Sequence, residues 1–467
     1  MDKMRLFVIV GVMTLLVAGC TSKTHLVVPA AGASRSLIVR NVRVFDPPRA
    51  ALLPGLRDVM VRDGKIDAIG APGLQAPGLS EIDAKGKTLL PGLVDVHTHT
   101  GSSSSPPWKI GLPDLNRNLE GYLYAGVTTV LDLGGLTPAV FSERENIASG
   151  KILGPRVYAA GPMFTAPRGH PTEVLRDTLP WYLRWYVVPR ATREVSDPDQ
   201  ASRAVGDLLP QRPDILKIAL DAGGNGDVPC LRRETISAIT AAGHAAGIRT
   251  IAHIGSSAEA IDAVKGGVDA LAHAPWREEV SDDAVRVIAA AHIPVIVTLA
   301  VWDVAGTPRT GRSAFLPIEA EVAGSKLIDE LTQPLPPLDD LLSSLSRAAA
   351  AAHDARYRNV AKLRAAGVQM LAGSDSCNPG NLPGAGLHLE LAKLVEAGLS
   401  AGEVLRMATR ENAHFLAGDG AEFGEIAVGK RADFVIVDGD PTTHIEDLGK
   451  ISQVVLGGTI LERHAAQ

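Results

Sequence analysis

The chain has 467 residues, 46% hydrophobic and 21% charged, a globular composition with ample length for a large buried core. Its formal net charge is -6 and no basic stripe is present, which argues against nucleic acid as a partner. The only three cysteines, Cys20, Cys230 and Cys377, exclude a disulfide framework and a Cys-x-x-Cys motif.

Residues 1–20 read as a targeting segment. Lys3 and Arg5 give a basic start, and Leu6–Gly19 is apolar but short for a membrane span. The stretch ends in Leu16-Val17-Ala18-Gly19-Cys20, which resembles the lipobox of a bacterial lipoprotein. That resemblance implies cleavage before Cys20 and lipidation of its thiol. The alternative is an uncleaved anchor. The mature chain is expected in the bacterial cell envelope, held to the membrane through a lipid anchor at Cys20 and facing the periplasm or exterior. Residues 21–36 then form a flexible polar tether.

Residues 37–91 read as short strands. Ser36–Val44 and Arg57–Arg62 alternate apolar and polar side chains, and Asp63-Gly64 is a hairpin turn signal before Lys65–Ile69. The far end of the chain repeats this character at Gly424–Val428, Ala432–Val437 and Ile451–Leu456. Two strand-rich ends around a different middle suggest one small β-sandwich domain, built from residues 37–91 and 422–467.

The middle, residues 92–421, alternates strands and helices. Leu93–His97, Val127–Leu133, Arg156–Ala160, Ile215–Leu220, Ile248–His253, Asp269–His273, Ile293–Leu299 and Val368–Gly373 are apolar runs of strand length. Amphipathic helical segments such as Arg233–Ala246 and Asp282–Ala291 lie between many of them, and Leu341–Ala366 reads as one long helix. Near-continuous apolar strands separated by helices argue for a buried parallel sheet. Eight such units argue for an α/β fold of the (β/α)8 TIM-barrel type, whose chemistry sits at the C-terminal ends of the strands.

Those ends carry an unusual set of side chains. Leu93-Val94-Asp95-Val96-His97-Thr98-His99 ends in two histidines one residue apart, so both rings project to the same face of a strand. Two imidazoles so placed suit one metal ion, with a structural pair of histidines as the alternative. The fourth run places Lys217 among apolar neighbours, where a lysine is costly unless neutralised or paired. The fifth ends in His253, the sixth in His273, and the eighth in Ser374-Asp375.

This pattern resembles the amidohydrolase superfamily over residues 37–464. Thr128-Thr129-Val130-Leu131-Asp132-Leu133-Gly134-Gly135 is similar to its second strand, and Gly429-Lys430-Arg431-Ala432-Asp433-Phe434-Val435-Ile436-Val437 to its closing β-sandwich motif. The resemblance implies two divalent metal ions, with zinc as the expected metal. His97, His99 and Asp375 would bind the more buried ion, His253 and His273 the second. Lys217, carboxylated by carbon dioxide, would bridge them. Burial favours the neutral amine that takes up carbon dioxide.

The implied reaction is hydrolysis of a carbon–nitrogen bond, of amide or dipeptide type, in a small-molecule substrate. A metal-bridging hydroxide would attack, and Asp375 would shuttle the proton. Among subgroups the chain looks most like imidazolonepropionase-related and Xaa-Pro dipeptidase-like enzymes. Lactone, ester or phosphotriester hydrolysis on the same site is the alternative. A non-catalytic envelope lipoprotein that binds a ligand is the alternative of another class. Homo-oligomer formation stays open.

Other residues fall near the expected mouth. His170, in the loop after the third strand, is assigned to carbonyl or leaving-group contact, with a surface histidine as the alternative. Trp181 and Trp185 cluster with Tyr182 and Tyr186, and Trp108 and Trp302 follow other strands. They read as a pocket wall or lid, or as packing between loops. Arg168 is a candidate for holding a substrate carboxylate, because guanidinium pairs bidentately. Trp302–Asp340 reads as a long loop rich in proline and glycine.

Overall fold

A computed structural model describes residues 25–32, 34–106, 109, 113–307, 311–334 and 340–466. The targeting segment with Cys20, the first residues of the expected tether, and Trp108 lie outside them. Among the described residues no helix is long and apolar enough to cross a membrane.

Strands from both ends of the chain join in one ten-stranded sheet. Phe434–Val437 pairs antiparallel with Thr88–Pro91 on one side and Ile451–Leu456 on the other. Leu37–Asp46 continues the sheet, parallel to Thr88–Pro91 and antiparallel to Arg57–Arg62. Alternation sets the packing: Leu37, Val39, Val59 and Val61 bury into one cluster with Phe434 and Ile436. The expected strand at Gly424–Val428 is not formed. Gly424 has φ 84, and a Cβ there would meet the Ala413 Cβ at 2.5 Å, so the backbone turns instead of extending.

The expected tether also needs correction. Val27–Pro29 forms a strand antiparallel to Thr459–Arg463. Leu26 and Val27 are buried, and the Leu26 N–H donates to Glu120 Oε2 at 2.7 Å. A run of three apolar residues, Leu26-Val27-Val28, gains more from burial than it would as a solvated linker.

All eight apolar runs of the middle become parallel strands: β1 (Leu93–Thr98), β2 (Val127–Asp132), β3 (Arg156–Ala159), β4 (Leu216–Leu220), β5 (Thr250–Ile254), β6 (Ala270–Ala272), β7 (Val295–Val297) and β8 (Met370–Ala372). One sheet has the order β3-β2-β1. A second has β4 to β8 in sequence order, preceded at its edge by the short strands Met163–Thr165 and Thr192–Glu194. The two sheets meet at both edges. Beyond β1 and β8, Thr98 bridges Ser376, and the Asp375 N–H donates to the His97 carbonyl at 2.7 Å. Between β3 and β4, the Asp214 N–H donates to the Ala159 carbonyl at 3.0 Å. An apolar cluster of Val94, Leu131, Ile215, Ile251, Ile296 and Leu371 fills the space the strands share. Ile215 and Ile251 lie two residues before Lys217 and His253, so the polar side chains continue the faces that bury the cluster.

The helices depart from expectation in two places. Residues 341–366 hold two helices, Asp340–Ala351 and His353–Ala365. The expected long loop contains Leu299–Ala305, Pro317–Ala323 and Ser325–Thr332. Pro317 suits a helix start, because a first-turn residue needs no N–H acceptor.

Candidate active site

Four strand ends and the turn after β8 bring six polar side chains together, all of them buried. His97 and His99 come from β1 and the residue after it, Lys217 from β4, and His253 from β5. His273 and Asp375 follow β6 and β8 with φ values of 71 and 57. Non-glycine residues in the left-handed region carry strain, and the strain here aims both side chains inward.

The donor atoms converge. His99 Nε2 lies 3.0 Å and His97 Nε2 3.5 Å from Asp375 Oδ1. Lys217 Nζ is 3.4 Å from His97 Nε2. His253 Nδ1 is 2.9 Å from His273 Nε2, which lies 4.0 Å from Asp375 Oδ2. His97, His273 and Asp375 offer ligand atoms all within 4.8 Å of one another.

Contacts behind the rings decide which nitrogens are free. His253 Nε2–H donates to Asp221 Oδ2 at 2.8 Å, which leaves the lone pair on Nδ1. His273 Nδ1 lies 2.5 Å from Thr298 Oγ1, a hydroxyl that can accept from it or donate to it. His253 Nδ1 and His273 Nε2 lie 2.9 Å apart. His99 Nδ1 lies 3.3 Å from the Gly134 carbonyl, and its Nε2 hydrogen-bonds a carboxylate oxygen of Asp375 at 3.0 Å. Asn378 Nδ2 donates to that same oxygen at 2.9 Å. Four imidazoles, an amine and a carboxylate gathered in one buried site are the donor types that bind a divalent cation. The donor set therefore fits divalent metal, and these second contacts orient the rings for it.

Electrostatics agrees. Burial pushes the His97 and His273 imidazoles far below their ordinary range, and that of His253 down to about 4, so all three are neutral and able to bind metal at pH 7. Burial also lowers Lys217 to about 7, against the opposing pull of Asp375. His99 is the exception. Burial works against its charge, but the hydrogen bond and charge of Asp375 outweigh that and raise it.

Asp221 is the residue the sequence reading missed. It is buried, accepts from His253, from Trp276 Nε1 at 2.8 Å and from Arg277 Nη1 at 2.8 Å. Burial opposes its charge, yet the hydrogen bond and charge of His253 lead the effects that hold it ionised well below the carboxylate range. One signal existed: Lys217, Ala219 and Asp221 share a face by strand alternation.

The expected substrate contacts divide. The His170 ring lies 4.9 Å from the His253 ring, and its Nδ1 bonds Glu173 Oε1 at 2.8 Å. The Trp302 ring is 5.4 Å from that of His273 and stacks on Trp276 at 3.9 Å. Its indole N–H is buried without a partner. The other three are placed differently. Arg168 is exposed, with its backbone N–H on Glu194. Trp181 and Trp185 point into solvent from the helix Trp181–Ala191, whose buried residue is Val188. They do not form a wall of this site.

The amidohydrolase family pattern matches residues 88–461. Dihydroorotase of Elusimicrobium minutum is 33% identical over 111 residues, 24% of this chain and 24% of that protein. Adenine deaminase of Deinococcus deserti is 30% identical over 128 residues, 27% of this chain and 21% of that protein. The chain thus spans about a quarter of the length of the curated relatives it matches. A crystal structure of a Xaa-Pro dipeptidase with methionine in its active site superposes with TM-score 0.73 at 21% identity, over 91% of this chain and 99% of that one, a likeness of fold. With the family pattern spanning most of its length, the chain belongs to the amidohydrolase family.

Proposed function

We propose that this protein hydrolyses an amide or dipeptide-type carbon–nitrogen bond in a small molecule, using two divalent metal ions held by His97, His99, Lys217, His253, His273 and Asp375. The observation that carries this reading is the convergence of His97, His273 and Asp375, whose ligand atoms lie within 4.8 Å of one another, with His253 Nδ1 2.9 Å from His273 Nε2. In this reading the two parallel sheets are parts of one (β/α)8 barrel beside a β-sandwich, and zinc is the metal.

When bound, such ions acidify water and polarise a carbonyl. The chain's own groups do the rest. Lys217, neutral in part near pH 7, would add carbon dioxide with formation of an N–C bond and release of a proton, and its carbamate would be one of the groups that hold the ions. Asn378 fixes one oxygen of Asp375. The carboxylate takes the proton of the attacking water and delivers it to the departing nitrogen. The Trp302 ring, 5.4 Å from that of His273, forms an apolar side of the site, and His170, steadied by Glu173, contacts the leaving group. A lipid anchor at Cys20 and a place in the cell envelope belong to the same proposal.

The test is turnover by the zinc-loaded protein of a panel of dipeptides including Xaa-Pro, N-acyl amino acids, lactones and phosphotriesters, followed by mass spectrometry. Carbon–nitrogen cleavage should appear and fall by about 10²–10⁴-fold in Asp375→Asn, the range of a lost proton shuttle. Cleavage of esters alone, or an Asp375→Asn variant as active as the parent, would overturn the proposal.

A further inference from the structure

The helix Trp181–Ala191 carries a feature that hydrolysis does not use. Six large apolar side chains are exposed among the described residues, and four of them are here: Trp181 at 80%, Trp185 at 73%, Tyr182 at 55% and Tyr186 at 45%. The spacing 181/185 and 182/186 puts all four on one helical face, opposite the half-buried Leu183 and Val187. The rings pair edge to face, Trp181 with Tyr182 at 5.9 Å and Trp185 with Tyr186 at 5.8 Å.

The charged side chains of the helix are all cationic, in a stretch bounded by Asp177 and Glu194. Residues 179–193 contain Arg184, Arg190 and Arg193 and no acidic residue, in a chain of net charge -6. All three guanidiniums donate to backbone carbonyls, those of Leu179, Tyr186 and Pro189. Arg190 also lies over the Tyr186 ring at 3.9 Å. Asp207 acts on the charge of Arg193, whereas Arg184 and Arg190 make no ion pair among the described residues and are left for an anionic partner.

We infer that this face docks on an anionic lipid surface. Tryptophan and tyrosine have apolar bodies and polar tips, and they settle at the boundary between headgroups and acyl chains. Arginines on the flanks pair with anionic headgroups, as in interfacial helices. A second copy of the chain fits less well, because a two-fold contact through this face would bring its arginines together. The inference needs neither the hydrolase reading nor the anchor at Cys20.

The experiment mixes the full chain with phosphatidylcholine–phosphatidylglycerol vesicles whose acyl chains are dibrominated, and follows tryptophan emission. Quenching should occur, weaken in phosphatidylcholine alone, weaken in high salt, and be lost in Trp181→Ser/Trp185→Ser. Arg190→Glu, which keeps every aromatic ring, should reduce the quenching by anionic vesicles. No quenching of the parent protein, or quenching that survives the double substitution, overturns the inference. Concentration-dependent dimerisation abolished by the double substitution, with no quenching, overturns it in favour of a second copy.

Discussion

At the scale of single residues, the site works by placing polar groups where water cannot shield them. The same logic applies away from the ligand cluster, at Glu143. This carboxyl is buried, one of its oxygens has no partner, and the hydroxyl of Thr100 donates to Asp132 at 2.8 Å and lies 3.5 Å from Glu143. Burial, and then the charge of Asp132, raise Glu143 to about 8. The unfolded chain releases this proton near pH ~4.3. The folded chain keeps it to higher pH, so the stability it contributes is full at low pH and is lost as pH rises from ~4.3 through 8. The effect is on the order of a few kcal/mol. Glu143→Gln should flatten the fall in Tm between these pH values. An unchanged slope in that variant would show that Glu143 is ionised throughout. The sequence revealed residues of this kind only where chemistry and pattern coincide. Lys217 stood out as a charge inside an apolar run, whereas Asp221, Thr298 and Asn378 sit at strand ends where polar residues are ordinary. Asp221 and Thr298 act on partners 32 and 25 residues away, and Asn378 on Asp375 through a turn that sequence pattern does not show.

At the scale of elements, strands were legible and connections were not. The eight parallel strands are short apolar runs whose burial on both faces is written into composition. The helix Trp181–Ala191 was hidden because Pro180 and Pro189 bracket it, although Pro180 only precedes its first turn and Pro189 falls near its end. Helix Pro317–Ala323 was hidden by its surroundings, since tertiary contacts stabilise it: Ile318 and Val322 are buried, and Glu319 pairs with Arg312 at 2.8 Å. Close strand packing also makes a prediction. A Cβ on Gly373 would lie 2.6 Å from the His97 Cβ and 2.6 Å from Ile296 Cγ2. Gly373→Ala must push the first and last strands apart. It should cost about 1–3 kcal/mol in denaturant unfolding, the usual range for overpacking, and weaken metal retention by displacing His97. Parental stability and metal retention would show that this edge has slack.

At the scale of the whole molecule, both chain ends support one sheet, and the middle presents one cluster of ligands. Pairing of Phe434–Val437 with Thr88–Pro91 was foreseeable only as strand character at both ends; sequence pattern does not show which strands meet. The polar cluster was foreseeable because parallel strands put their C-terminal ends on one side. What the cluster holds is the central claim, and metal content tests it most directly. The full chain, purified with zinc present and freed of loose metal, should contain two ions per molecule. Lys217→Ala, removing the bridging group but leaving four histidines and Asp375, should retain one or fewer with its fold intact. A parent protein that holds no metal, or a Lys217→Ala variant that still holds two, would contradict the binuclear site.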